Sequence, residues 1–230
     1  IISHAEAGAG LDANRLRGAA PMRRIEGRNW TKADVEFHEI DGLRVAVKTY
    51  APRNALARNT LGRWLIMLEA AAFRAVAGID AVPEFVGRIG PFAIATRWVD
   101  AMPLKEHAGD LLDDDIFDRL AAIVDEFHQR GVALADLHHR DVLVAADGTL
   151  YVLDLATAWV AGERPGPFRR YLYERFCESD RVNLARMRAR FTGGDVEAAV
   201  ASVSPQAAAW HRRGRRVKSI LNRLRGKGPS

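Results

Sequence analysis

Two runs of alternating residues that meet at Asp41-Gly42 constrain the fold more than any other feature. Val35, Phe37 and Ile40 precede the turn; Leu43, Val45 and Val47 come after it, interleaved with Arg44, Ala46 and Lys48. A period of two places successive side chains on opposite faces of a strand, and Asp-Gly supplies the positive-φ residues that a tight hairpin needs. The chain therefore opens with an antiparallel hairpin whose second strand ends at Lys48.

Helical spacing takes over next. Residues 56–77 read as one helix with Leu61, Leu65, Leu68 and Ala72 on its inner stripe and Gly78 at its end. Two further strands, 85–89 and 92–96, join through Gly90-Pro91, and residues 100–104 read as a connector. A helix over 111–130 begins with Asp113, Asp114 and Asp115, which suit its positive end, and turns Ile116, Leu120, Ile123, Val124 and Phe127 inward. Residues 142–145 and 150–153 form a short hairpin across Asp147-Gly148, and helices come next over 169–190. Helices and strands in this mixture predict an α+β class.

Composition matters mainly for where the charge sits. The 230 residues are 48% hydrophobic and carry a net charge of +5. Beyond Glu197 there is no acid, but there are eight bases: Arg212, Arg213, Arg215, Arg216, Lys218, Arg223, Arg225 and Lys227; removing those eight charges from +5 leaves −3. The basicity belongs to a tail, which argues against nucleic acid as the partner of the folded part. In that tail Val217, Ile220, Leu221 and Leu224 fall at helical spacing, so it reads as a basic amphipathic helix suited to an anionic membrane surface; packing on its own domain, disorder and, more weakly, nucleic-acid binding are the alternatives. A single cysteine, Cys177, and no apolar run long enough for a membrane-spanning helix fit a cytoplasmic protein, peripheral at the inner membrane if the tail binds lipid. Residues 1–21 read as a loosely ordered leader ahead of Met22, with a short helix around 11–16 as the alternative.

Three carboxylates cluster around the 142–153 hairpin. Asp136 lies in the loop before it, Asp141 at its first strand and Asp154 just past its second, so the fold-back brings them toward one another. Phosphoryl transfer needs such a set: one carboxylate to take the proton of the attacking hydroxyl, further oxygens for Mg²⁺, and a lysine, fixed by a helix glutamate, for the phosphates. Lys48 supplies the lysine. Between Thr49 and Ile79 the lone acid is Glu69; it is either the partner of Lys48 or a surface residue pairing with Arg63 or Arg74.

In order and spacing these segments resemble protein-kinase-like phosphotransferases. Val45-Ala46-Val47-Lys48 resembles the kinase Val-Ala-Ile-Lys strand, 127–144 the catalytic loop, and 147–156 the metal-binding segment. The similarity covers about residues 26–191 and looks closest to bacterial lipopolysaccharide core (heptose and Kdo) kinases and to RIO-type kinases. It implies a two-lobed fold: a small antiparallel-sheet N-lobe over 22–100, a mostly helical, shortened C-lobe over 101–200, and the tail over 201–230. It also implies Asp136 as catalytic base, His138 beside the transferred phosphate, Asp141 and Asp154 as Mg²⁺ ligands, Lys48 held by Glu69 on the ATP phosphates, and Thr96, Arg97 and Val99 in an adenine-binding hinge.

The sequence departs from the family pattern in four places. The phosphate loop, expected near 27–36, has one glycine, Gly27, where Asn29 or Lys32 would have to compensate. Leu134-Ala135 stands before the base, Asp141 replaces asparagine, and Leu155-Ala156 replaces Phe-Gly. About 75 residues remain past Asp154 and nothing matches Ala-Pro-Glu, too little for a peptide-holding platform. An acceptor hydroxyl on a lipopolysaccharide-type sugar or lipid is therefore expected; a RIO-like serine/threonine kinase and a pseudokinase binding module are the alternatives. His128, at the end of its helix, reads as structural and not catalytic; Trp64, Trp98 and Trp159 read as packing residues, His4 and His38 lack metal-ligand spacing, and Cys177 reads as inert.

Overall fold

The structure, a computed structural model, describes residues 16, 18–27, 32–107, 112–162 and 164–205. Most of the expected leader, most of the expected phosphate loop and the basic tail from residue 206 lie outside the described residues.

The protein is α+β. A five-stranded antiparallel sheet has the order β1-β2-β3-β5-β4, built from β1 (Arg23–Ile25), β2 (Asp34–Ile40), β3 (Leu43–Thr49), β4 (Phe85–Arg88) and β5 (Ala93–Arg97). The hairpin closes as expected, with Ile40 opposite Leu43 and Asp41 and Gly42 both at positive φ. In β3 the period of two splits the faces. Val45 and Val47 join Ala93, Ala95 and Leu16 in a small cluster on one side. Lys48, opposite Ile94, and Ala46, opposite Thr96, alternate onto the other.

That second face receives α2 (Arg63–Ala75), which is joined to α1 (Ala55–Ala57) through a π-helical turn over Arg58–Gly62. The expected unbroken helix is thus interrupted, and its inner stripe is corrected. Ile66, Glu69, Ala70, Ala72 and Phe73 are buried, whereas Leu68 is exposed. With Glu69 turned inward to meet Lys48, the rotation of the helix carries Leu68, Met67 and Trp64 outward. Trp64, 55% exposed, is consequently not a packing residue. Gly62 lies where the chain passes Tyr50; a Cβ there would come within 2.8 Å of the Tyr50 side chain.

Beyond the sheet, β6 (Ala101–Pro103) pairs with β8 (Val142–Ala145), which pairs with β9 (Leu150–Val152). The expected connector at 100–104 is therefore partly a strand of this three-stranded sheet. β7 (Val132–Ala133) pairs with β10 (Trp159–Val160) and closes the loop that carries the acids. Among the described residues there are three more α-helices: α3 (Asp114–Gln129), the 25-residue α4 (Pro167–Phe191) and α5 (Val196–Val203). One apolar cluster runs from Ile66 and Phe73 through Phe117, Phe127 and Leu155 to Phe191. No helix among the described residues is long and apolar enough to cross a membrane.

Candidate functional site

Lys48 Nζ donates to Glu69 Oε1 at 2.9 Å and to Asp154 Oδ1 at 2.7 Å. One ammonium thus joins the sheet, a helix and a segment 106 residues further along the chain. Glu69 is 2% exposed, which decides between its two readings: it is the lysine's partner, not a surface residue pairing with Arg63 or Arg74. Burial works against the charge on Lys48, but the two adjacent carboxylates more than offset it and raise its pKa. Burial pushes the Glu69 carboxyl up, opposed by Lys48. Asp154 is also disfavoured by burial, yet Lys48 and the Ala156 N–H hold it below the usual carboxylate range, and the charge of Lys32 acts in the same sense.

The acid-bearing segments are placed by backbone. The Leu153 N–H donates to the Asp141 carbonyl at 2.7 Å, tying the loop end to the residue before Asp154. Asp154 itself is left-handed at φ 59, and Ala135, next to Asp136, is at φ 65. Neither is glycine, and Ala135 has no polar side chain to compensate, so this conformation costs about 1–2 kcal/mol there. Strain of this kind persists where the surroundings over-determine the backbone, commonly at functional sites. Asp136 is exposed and Asp141 half-buried. Burial, then the Asp154 and Asp136 charges, push Asp141 up to about 7. The three carboxylates therefore share one electrostatic neighbourhood.

His138 is half-buried and packs against His139 with ring centroids 4.0 Å apart and the planes tilted by 37°. Burial and Arg140 hold its pKa below the ordinary histidine value. At the sheet, Thr96 shares the face of Lys48, while the Arg97 side chain is paired with Glu84 at 3.1 Å. The Arg97 and Trp98 N–H groups are taken by the Glu84 and Arg44 carbonyls. The Val99 backbone makes no hydrogen bond to any described residue, so of the expected hinge residues it is the one free to meet a ligand edge.

Two groups that sequence reasoning missed hold this arrangement. Asp180, fully buried in α4, accepts from the Leu134 N–H at 2.8 Å and contacts His128 Nε2 at 2.9 Å. It anchors the strained loop two residues before Asp136. Asp34, 1% exposed at the start of β2, accepts from the Gly27 N–H at 2.9 Å, from Arg24 at 2.5 Å and from Arg53. Arg53 also donates to the Lys32 carbonyl at 3.0 Å. These bonds clamp the neck of the expected phosphate loop. A Cβ on Gly27 would sit 2.5 Å from the Lys32 oxygen, so the loop's one glycine serves to close that neck.

Among the described residues, no three carboxylate, imidazole or thiol side chains stand together as a ready metal cage. Asp154 is turned onto Lys48 instead. The residues that could offer oxygen to a hard divalent cation are Asp141 and Asp154. No family model matches the sequence, and no curated protein matches it significantly.

Proposed function

We propose that the protein is an ATP-dependent phosphotransferase with a kinase-like, two-lobed architecture, acting on a hydroxyl of a lipopolysaccharide-type sugar or lipid. The observation that carries this is the Lys48 ammonium held between Glu69 on a helix and Asp154 on a distant loop. A cation fixed by a buried glutamate and shared with an exposed carboxylate is pre-positioned for polyphosphate. When ATP enters, Lys48 stays paired with Glu69 and turns its remaining N–H groups to the α- and β-phosphates. Val99 offers backbone hydrogen bonds to adenine. Lys32, held at the loop neck by Arg53, adds positive charge that Asp154 feels.

Asp141 and Asp154 would hold Mg²⁺, which when bound screens the charge between the β- and γ-phosphates. Asp136, exposed at the mouth of the loop, orients the acceptor hydroxyl and takes its proton as the oxygen attacks the γ-phosphorus. The bond from phosphorus to the bridging oxygen breaks, and ADP leaves with that electron pair. His138 stands two residues from the base. Held toward its neutral form, it contributes a hydrogen bond at the acceptor side without adding fixed charge.

The acceptor class follows the sequence resemblance to lipopolysaccharide core kinases. Among the described residues the segment beyond Asp154 holds a 3-10 turn over Leu155–Thr157, the short strand β10 and the helices α4 and α5. Transfer of label from γ-labelled ATP to purified lipid and sugar fractions tests the proposal. Label is expected on a lipid-linked sugar and is expected to vanish in Asp136→Ala. Label on protein alone would move the acceptor to a RIO-like serine or threonine; undiminished transfer in Asp136→Ala would remove Asp136 as the base.

A further inference from the structure

We infer that the outer face of the Arg63–Ala75 helix is a docking surface for anionic lipid bilayers. Glu69 faces inward, so the opposite side of the helix meets solvent. At 3.6 residues per turn, Arg63, Arg74, Met67, Trp64 and Leu68 fall in that order across one exposed arc of about 140°. Trp64 is 55% exposed and Met67 51%, and Leu56, one π-turn earlier, is 77% exposed. Large apolar side chains gathered this way on a helix that could have buried them mark an interaction face.

The charge on this face selects its occupant. From Thr49 to Ile79 the single acid is Glu69, which is buried against Lys48, so the face presents Arg63 and Arg74 with no carboxylate. Neither arginine is ion-paired to a described residue; Arg74 lies over the Phe85 ring at 5.4 Å and donates to the Ala70 carbonyl at 3.4 Å, which leaves its charge uncompensated. The chain's own segment beyond residue 205 carries eight Lys and Arg residues and no acid, so it would meet like charge here. A second copy docked face to face would set these arginines against themselves. An anionic bilayer satisfies both halves of the surface: Trp64, Met67 and Leu68 enter the headgroup–acyl boundary, and the guanidinium groups along one edge of the arc pair with lipid phosphates. The inference does not depend on phosphoryl transfer, and the helix can lie on a membrane while its inner face holds Lys48.

The test uses the full chain with vesicles of phosphatidylcholine alone or with phosphatidylglycerol added. A Met67→Cys variant, in a Cys177→Ala background, carries an environment-sensitive fluorophore. The label is expected to shift to the blue with phosphatidylglycerol vesicles and not with phosphatidylcholine alone. Trp64→Ser with Met67→Ser, and separately Arg63→Glu with Arg74→Glu, should each lower partitioning roughly tenfold or more while leaving the circular dichroism spectrum unchanged. Vesicle binding that survives both pairs would assign it to the basic tail and overturn the inference. So would absence of binding to anionic vesicles, or a label shift produced by acidic protein or nucleic acid but not by lipid.

Discussion

Lys48 Nζ donates to Glu69 Oε1 at 2.9 Å, joining a strand to a helix across 21 residues of chain, and Glu69 is nearly inaccessible to water. Removing the lysine strands a buried anion. Lys48→Met should lower stability by about 3–5 kcal/mol in urea titrations. Adding Glu69→Gln to that variant should recover much of the loss, because the uncompensated charge goes with it. Equal stability of the single and double variants would show that the pair is not coupled.

Asp180 and His128 give the protein a pH-dependent brace. Burial alone would lower the His128 pKa, but the hydrogen bond to Asp180 and the neighbouring Cys177 raise it to about 9, above its ordinary 6.5. A folded-state pKa above the unfolded one contributes stability that is complete below about pH 6.5 and is lost as pH rises through about 9. The urea midpoint should therefore fall between about pH 7 and 9 in the native protein. That fall should flatten in His128→Gln. Asp180→Ala, which also leaves the Leu134 N–H unpaired, should cost about 3 kcal/mol or more.

Gly62 carries a steric prediction. A methyl group there meets the Tyr50 Cβ and Cγ, each at 2.8 Å, and Tyr50 is buried just past the strand that carries Lys48. Gly62→Ala should destabilise by about 1–3 kcal/mol, and Gly62→Ala with Tyr50→Ala should cost less than the sum of the two. Strict additivity in thermal or urea melts would contradict the contact.

The two exposed carboxylates should separate binding from chemistry. Asp136→Asn is expected to keep nucleotide affinity while transfer falls about 10²–10⁴-fold, the range of a lost general base. Asp154→Asn is expected to weaken Mg²⁺-dependent nucleotide binding first. Identical defects in both variants would contradict their separate roles.

Much of this was legible in the chain because the signals are local. Alternation around Asp41-Gly42 specifies the β2–β3 hairpin and the side to which Lys48 points. A lone acid on a basic and apolar helix marks Glu69. Other features depend on tertiary context. Asp180 sits on a long helix rich in Arg and Glu, where an aspartate reads as solvated, and its burial comes only from the packing of α4 on the acid-bearing loop. Asp34 carries no signal in the sequence; its role comes from Arg24, Arg53 and Gly27 converging on it. The left-handed Ala135 and Asp154 carry no glycine to announce them. Leu68 matched an apolar stripe, but the Lys48–Glu69 pair fixes the helix rotation and puts it outside.

Calorimetric titration of the protein with Mg²⁺ and a non-hydrolysable ATP analogue tests the central claim most directly. Saturable one-to-one binding is predicted, requiring Mg²⁺ and abolished by Lys48→Met with the fold intact. No heat of binding at millimolar nucleotide, or binding that Lys48→Met leaves unchanged, would contradict it.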